Sequence, residues 1–204
     1  MKEKARALTG AVLLLALAQA LLLLWKAALG ALLTPDAFGE KMITMAGMAL
    51  LTAASFQLCR KKGVELHFLP GRVSRGYLIA AVFTAVLLLA SPDNYTQGMR
   101  GPLLRLYASI ITPLFEELIF RGWLFGRLEG AGLRGWAAVW ISAGLFSLWH
   151  IGYILGALWA GQWLSLTKLA VGLAYGLITG AVRHKTGGWM PSLLVHAALN
   201  TLLG

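Results

Sequence analysis

The chain has 204 residues, is 58% hydrophobic and only 13% charged, and carries a net charge of +10. Soluble domains are about 45–50% apolar and about 25% charged, so this composition excludes a water-soluble globular domain and points to an all-α, polytopic transmembrane bundle. Nucleic acid is excluded as a partner because the basic residues cluster in short segments between apolar runs, the pattern of loops that face anionic lipid. The one cysteine, Cys59, rules out an intramolecular disulfide.

About seven to eight spans are expected in a single integral membrane domain, 1–204. Lys2, Lys4 and Arg6 precede the apolar run 7–33. Its Ala18-Gln19-Ala20 triplet imitates a signal-peptide cleavage site, but Leu21 to Trp25 continue the run, so an uncleaved first span is expected. Residues 42–59 and 76–90 make the second and third spans. The fourth starts near Leu103, the fifth covers 136–150, the sixth 164–182 and the short seventh 190–203. Segment 151–162 is uncharged and contains glycine. The sequence leaves open whether it spans, re-enters or lies at the interface.

With the N-terminus in the cytoplasm, segments 1–6, 60–75, 121–134 and 183–185 face inside. They hold thirteen of the 18 Lys and Arg residues, which is the positive-inside asymmetry. Residues 1–102 then supply N-terminal spans, and 103–204 carry the chemistry. Gly172, Gly176 and Gly180 recur every fourth residue and form a smooth stripe for close helix approach. The approaching helix belongs either to the same chain or to a second subunit, so dimerisation through this stripe is open.

The fourth span places Glu116 and Glu117 side by side among apolar residues. A charge in the hydrocarbon layer costs at least about 2.5–3.5 kcal/mol on insertion scales, so two in succession call for partners. Arg121, four residues after Glu117, shares its face and neutralises it. Glu116 is turned about 100° away and has no local partner, which leaves it as a candidate general base. Pro113 cannot donate to the carbonyl of Ser109, so a kink beside Glu116 is expected. Phe146 and His150 share a face of the fifth span, and His196 and Asn200 share a face of the seventh. Taking Arg127, Trp140 and Trp189 as inner-interface markers puts Glu116, His150 and His196 about 16, 15 and 10 Å deep. At one depth these groups suit hydrolysis. Glu116 and His150 would deprotonate a water, and His196 and Asn200 would stabilise the oxyanion. Glu116, His150 and His196 are also a conceivable zinc set with an open water position, although no HExxH helix occurs.

Glu116-Glu117-x-x-x-Arg121, Phe146-x-x-x-His150 and His196-x-x-x-Asn200, in this order on separate spans, resemble the three-motif signature of the CPBP, or Abi, intramembrane proteases. These are related to the type II CAAX prenyl endopeptidases. The resemblance covers about 103–203. It implies a helical bundle with a water-accessible cavity in which Glu116 and His150 activate water, His196 and Asn200 hold the oxyanion, and Glu117 and Arg121 support the site. The family is named as metalloproteases. Its implied substrates are membrane proteins or peptides, in some branches lipidated, with CAAX-type or bacteriocin and self-immunity processing as roles. The short chain looks most like bacterial or archaeal members of a cytoplasmic membrane. Two other classes compete: a non-catalytic scaffold or immunity factor on the same fold, and a proton-coupled transporter using Glu and His as relays.

Overall fold

The computed structural model describes residues 2–203, and among these there is no strand. Seven helical stretches follow one another: α1 (Lys2–Leu33), α2 (Ala37–Lys61), α3 (Arg75–Ala90), α4 (100–130), α5 (Trp136–Trp159), α6 (Thr167–Thr186) and α7 (Met190–Leu203). Five stretches are long and apolar enough to cross a membrane: α1, α2, Arg75–Thr96, α5 and Trp163–Thr186. The other two helices, α4 and α7, carry most of the intramembrane polar groups.

Local chemistry sets the helix ends. Asp36 accepts from Gly39 N at 2.8 Å and Ser74 accepts from Tyr77 N at 3.1 Å, capping α2 and α3. Such caps satisfy N–H groups that the first helical turn leaves free. Gly187 ends α6 with φ +77° and donates to Arg183 O at 3.0 Å. Only glycine adopts that left-handed geometry without penalty.

Segment 151–162 is not an eighth span. Residues 151–159 continue α5 after a single break at His150, whose N–H reaches back only to Ser147 O (3.1 Å). A 3-10 turn, Trp163–Leu166, then leads into α6.

The glycine stripe faces α5 of the same chain. A Cβ on Gly176 would stand 2.8 Å from Ala143 Cα, and one on Gly180 would stand 3.2 Å from Val139 Cγ1. All three glycines are buried. The dimer reading of Gly172, Gly176 and Gly180 is therefore replaced by packing within the chain, because that face is already covered.

The apolar core joins α1, α2, α4 and α5 through Leu22, Met48, Phe115, Phe120 and Phe146. Two expectations about polar positions also change. Arg183 is buried rather than a loop cation, and Trp189 is buried rather than an interface marker.

Candidate active site

The site begins with a defect in α4. Residues Tyr107–Ile111 and Leu118–Leu124 are wound as π-helix, on either side of Thr112–Glu117. Such segments concentrate at functional sites. In the first, Thr112 N bonds Tyr107 O, five residues back. The carbonyl of Ala108 then needs the next N–H, but that residue is Pro113, which has none. Asn200 of α7 fills the gap: its Nδ2 donates to Ala108 O at 2.8 Å. The kink expected at Ser109 is thus realised as a π turn whose open carbonyl lies one residue earlier. The second π segment also exposes carbonyls to neighbouring helices. Ser142 Oγ donates to Phe120 O (3.3 Å) and Arg183 Nε donates to Arg121 O (3.1 Å).

Glu116 and Glu117 point to opposite edges of one imidazole. Glu117 Oε1 lies 2.8 Å from His196 Nδ1, while Glu116 Oε2 lies 3.7 Å from His196 Nε2. The expected pair of Glu117 and Arg121 forms, with Nη1 3.3 Å from Oε1 and both side chains fully buried. Arg121 is held further by Gly176 O (3.1 Å from Nη2) and by the Phe146 ring, whose centroid lies 4.5 Å from the guanidinium carbon. A buried carboxylate shared by an arginine and a histidine has its charge met from two sides, which is the condition for keeping it in an apolar layer.

His150 is fixed differently. Its Nδ1 lies 2.9 Å from Phe146 O. A carbonyl can only accept, so Nδ1 carries the proton and Nε2 holds the lone pair. The Phe146 ring packs edge-on against both histidines, at 5.1 Å from His150 and 5.9 Å from His196. Behind His150, a Cβ on Gly172 would come within 3.0 Å of Nδ1.

These groups border a cleft of about 300 Å³. Glu116, Phe146, His150, His196 and Asn200 all line it, so three motifs far apart in sequence meet at one surface. Glu117 and Arg121 lie behind that surface and do not line it. The remaining wall contains residues that motif spacing missed, notably Thr112, Lys168 and Tyr175. Thr112 is one turn before Glu116, and Lys168 and Tyr175 flank Gly172 at helical spacing, so projection along each helix from a known site residue finds them. The Tyr175 and His196 rings are 5.4 Å apart.

Two imidazole lone pairs and a carboxylate are the right donor types for zinc, and the Nδ1 contacts of both histidines are of the kind that orient metal ligands. Among the described residues, however, no three His, Cys, Asp or Glu side chains gather as a ligand group. The zinc set of Glu116, His150 and His196 is not assembled in this geometry.

No curated protein and no solved structure matches the chain. The family model of the Rce1-like type II CAAX prenyl endopeptidases matches residues 99–202, the stretch that builds α4 to α7 and every residue of the cleft named above. The chain belongs to the Rce1-like type II CAAX prenyl endopeptidase family.

Proposed function

We propose that this chain is an intramembrane endopeptidase that hydrolyses a peptide bond with water activated by Glu116 and His150. One observation carries the reading. Glu117 holds one edge of the His196 ring at 2.8 Å, Glu116 stands 3.7 Å from the other edge without a hydrogen bond, and His150, with its Nδ1 on Phe146 O, lines the same cleft. Family membership supports the same reading, because the family is one of proteases.

A water held between Glu116 and His150 gives up a proton to one of them as its oxygen attacks the substrate carbonyl carbon. The carbonyl electron pair moves onto oxygen. His196, protonated on both nitrogens, presents Nε2–H to that oxyanion, while its Nδ1–H stays on Glu117. Asn200 uses one amide hydrogen on Ala108 O and keeps a second for the oxyanion. The tetrahedral intermediate collapses, the C–N bond breaks, and the proton taken from water passes to the leaving amine.

The test is terminus profiling of membranes that carry the native chain or Glu116→Ala at equal expression. New N- and C-termini present only with the native chain establish proteolysis and identify the cleaved bond. They also separate CAAX-type substrates from bacteriocin-like ones. Identical profiles in a host that contains the natural substrates would favour the scaffold reading instead.

A further inference from the structure

We infer that Gln19 of α1, with Trp149 and Tyr153 of α5, forms a buried polar site that takes an internal water, and that this site positions His150. The consequence for turnover rests on the proteolytic reading; the water site does not.

Gln19 is the only polar side chain between Gly10 and Leu24. An amide in an apolar layer is costly unless it is hydrogen-bonded. Gln19 lies more than about 20 Å from either end of α1, so its side chain finds no water at a helix end. It follows Ala11 and Leu15, both buried, at a spacing of four. That spacing puts it on the stripe that α1 turns toward the bundle.

Gly152 of α5 receives it. A Cβ at Gly152 would collide with the Gln19 amide, so the missing side chain is what lets the amide lie against α5. Trp149 and Tyr153 share that face, three residues before Gly152 and one after it. Their rings are 6.4 Å apart. Four polar atoms of this group are buried without a hydrogen-bond partner among the described residues: Gln19 Nε2, Gln19 Oε1, Trp149 Nε1 and Tyr153 Oη. Trp149 as a whole is 5% exposed. Buried polar groups that protein does not satisfy are met by ordered water. The inventory suits one water. Trp149 Nε1–H can only donate, Gln19 Oε1 can only accept, and Tyr153 Oη does either. A water accepts from the indole, donates to the amide oxygen and makes its third bond with the phenol, and about three bonds are usual for a buried water.

The site grips α5 where the helix breaks. The His150 carbonyl accepts from both Tyr153 N (3.0 Å) and Ile154 N (3.2 Å). Trp149 precedes the break and Tyr153 follows it, so a bridge between these two side chains fixes the bend. The Tyr153 ring meets the His150 ring at 6.2 Å, and the Trp149 ring meets Phe115, the residue before Glu116, at 5.8 Å. Phe146 O orients the imidazole from within α5, and Gln19 sets where that stretch of α5 stands. α1 lies outside the matched residues 99–202. The support for His150 therefore comes from a span that carries none of the three motifs.

Indole NMR of the full chain in detergent micelles tests the site. Trp149→Phe assigns the Trp149 N–H among the eight tryptophans. In the native chain that proton is expected to show a cross-peak with a long-lived water, and Gln19→Leu should abolish it. A native chain without the cross-peak overturns the site. Gln19→Leu should also lower the melting midpoint, because it leaves the indole and the phenol unpaired. A higher midpoint would mean that the amide had no partner to lose, and it overturns the site as well. Position is read at the His150 Cε1–H resonance. It should move in Gln19→Leu and in Tyr153→Phe, and stay in Gly30→Ala, which adds a methyl to open space on the same helix. An unmoved His150 resonance in the first two removes the positioning role. Kinetics give the last reading. Each of those two variants should lower kcat severalfold with KM unchanged, and the double variant should lower it no further, because either change loses the same water. Additive losses, or native turnover in either single variant, overturn the role at His150. A native chain that cleaves nothing, with the cross-peak present and the His150 resonance moving as expected, removes the protease and leaves the site standing.

Discussion

The half of the bundle toward Thr112 and Asn200 and the half toward Arg183 and Trp189 are built from the same residue types, yet they behave differently. In the second, closed half, Glu117, Arg121 and Arg183 each have a protein partner, although Glu117 Oε2 and Arg121 Nε make no hydrogen bond. Glu117 has Arg121 and His196, Arg121 has the Gly176 carbonyl, and Arg183 has the Arg121 carbonyl with Glu129 3.9 Å away. In the open half, the protein leaves partners unfilled. Glu116 approaches His196 only to 3.7 Å, and His150, with its Nδ1 on Phe146 O, lines the cleft. The closed half spends its hydrogen bonds on geometry, and the open half keeps its capacity for water and substrate. Two neighbouring residues, Glu116 and Glu117, divide the two tasks.

The largest expected effect breaks that division directly. Glu116→Gln should lower cleavage by about 10²–10⁴-fold, the range for losing a general base. The thermal midpoint in detergent should stay level or rise, because an incompletely paired buried charge disappears. Glu117→Gln should also lower cleavage, because His196 loses the carboxylate that fixes its Nδ1 proton, and it should lower the midpoint as well, since Arg121 is left with an unpaired buried charge costing about 3–5 kcal/mol. Activity assays beside thermal melts of both variants decide it. Equal stability losses for the two would erase the contrast between the halves.

Much of this contrast was legible in the sequence, but not all of it. Helical spacing alone paired Glu117 with Arg121, and the order of the three motifs brought Glu116, His150 and His196 together. Composition and apolar runs marked all seven helices. What spacing could not reach was contact across long separations. Glu117 and His196 are 79 residues apart, and nothing local to either predicts their bond. The glycine stripe carried no address either, because a smooth face fits any helix; Ala143 and Val139 supply it here. Arg183 looked like a loop cation because it precedes His184 and Lys185, and only packing against Phe125 and the Arg121 carbonyl reveals otherwise.

A smaller effect sharpens the role of Asn200, which lines the cleft in the open half. Asn200→Ala removes the donor to Ala108 O, so an orphaned carbonyl should cost about 1–3 kcal/mol of stability. It also removes an oxyanion donor, worth about 10²–10³-fold in turnover. The two losses separate in a double variant. Pro113→Ala restores a backbone N–H next to the gap and should recover part of the melting temperature lost in Asn200→Ala. Cleavage should not recover, because no backbone group replaces the amide in the cleft. Recovery of both would make Asn200 a purely structural residue.

The smallest effect uses the glycine stripe, which runs from one half into the other. Gly172→Ala puts a methyl 3.0 Å from His150 Nδ1, and Gly180→Ala puts one 3.2 Å from Val139 Cγ1. The crowding is nearly the same, so the stability losses should be similar, in the range of about 1–3 kcal/mol for an overpacked core. The consequences for chemistry should differ. At 180 the neighbour is an aliphatic side chain that can yield by a few tenths of an ångström without touching the cleft. At 172 the neighbour is the ring whose Nδ1–H bond to Phe146 O sets its tautomer, so the same displacement moves a reacting nitrogen. A misplacement of about 1 Å can cost about 10²-fold, so a shift of a few tenths should reduce turnover severalfold for Gly172→Ala while Gly180→Ala keeps native kinetics at temperatures below its melt. Equal turnover in the two variants would mean that His150 is not held by α6, and that the open half tolerates a looser wall than its geometry implies.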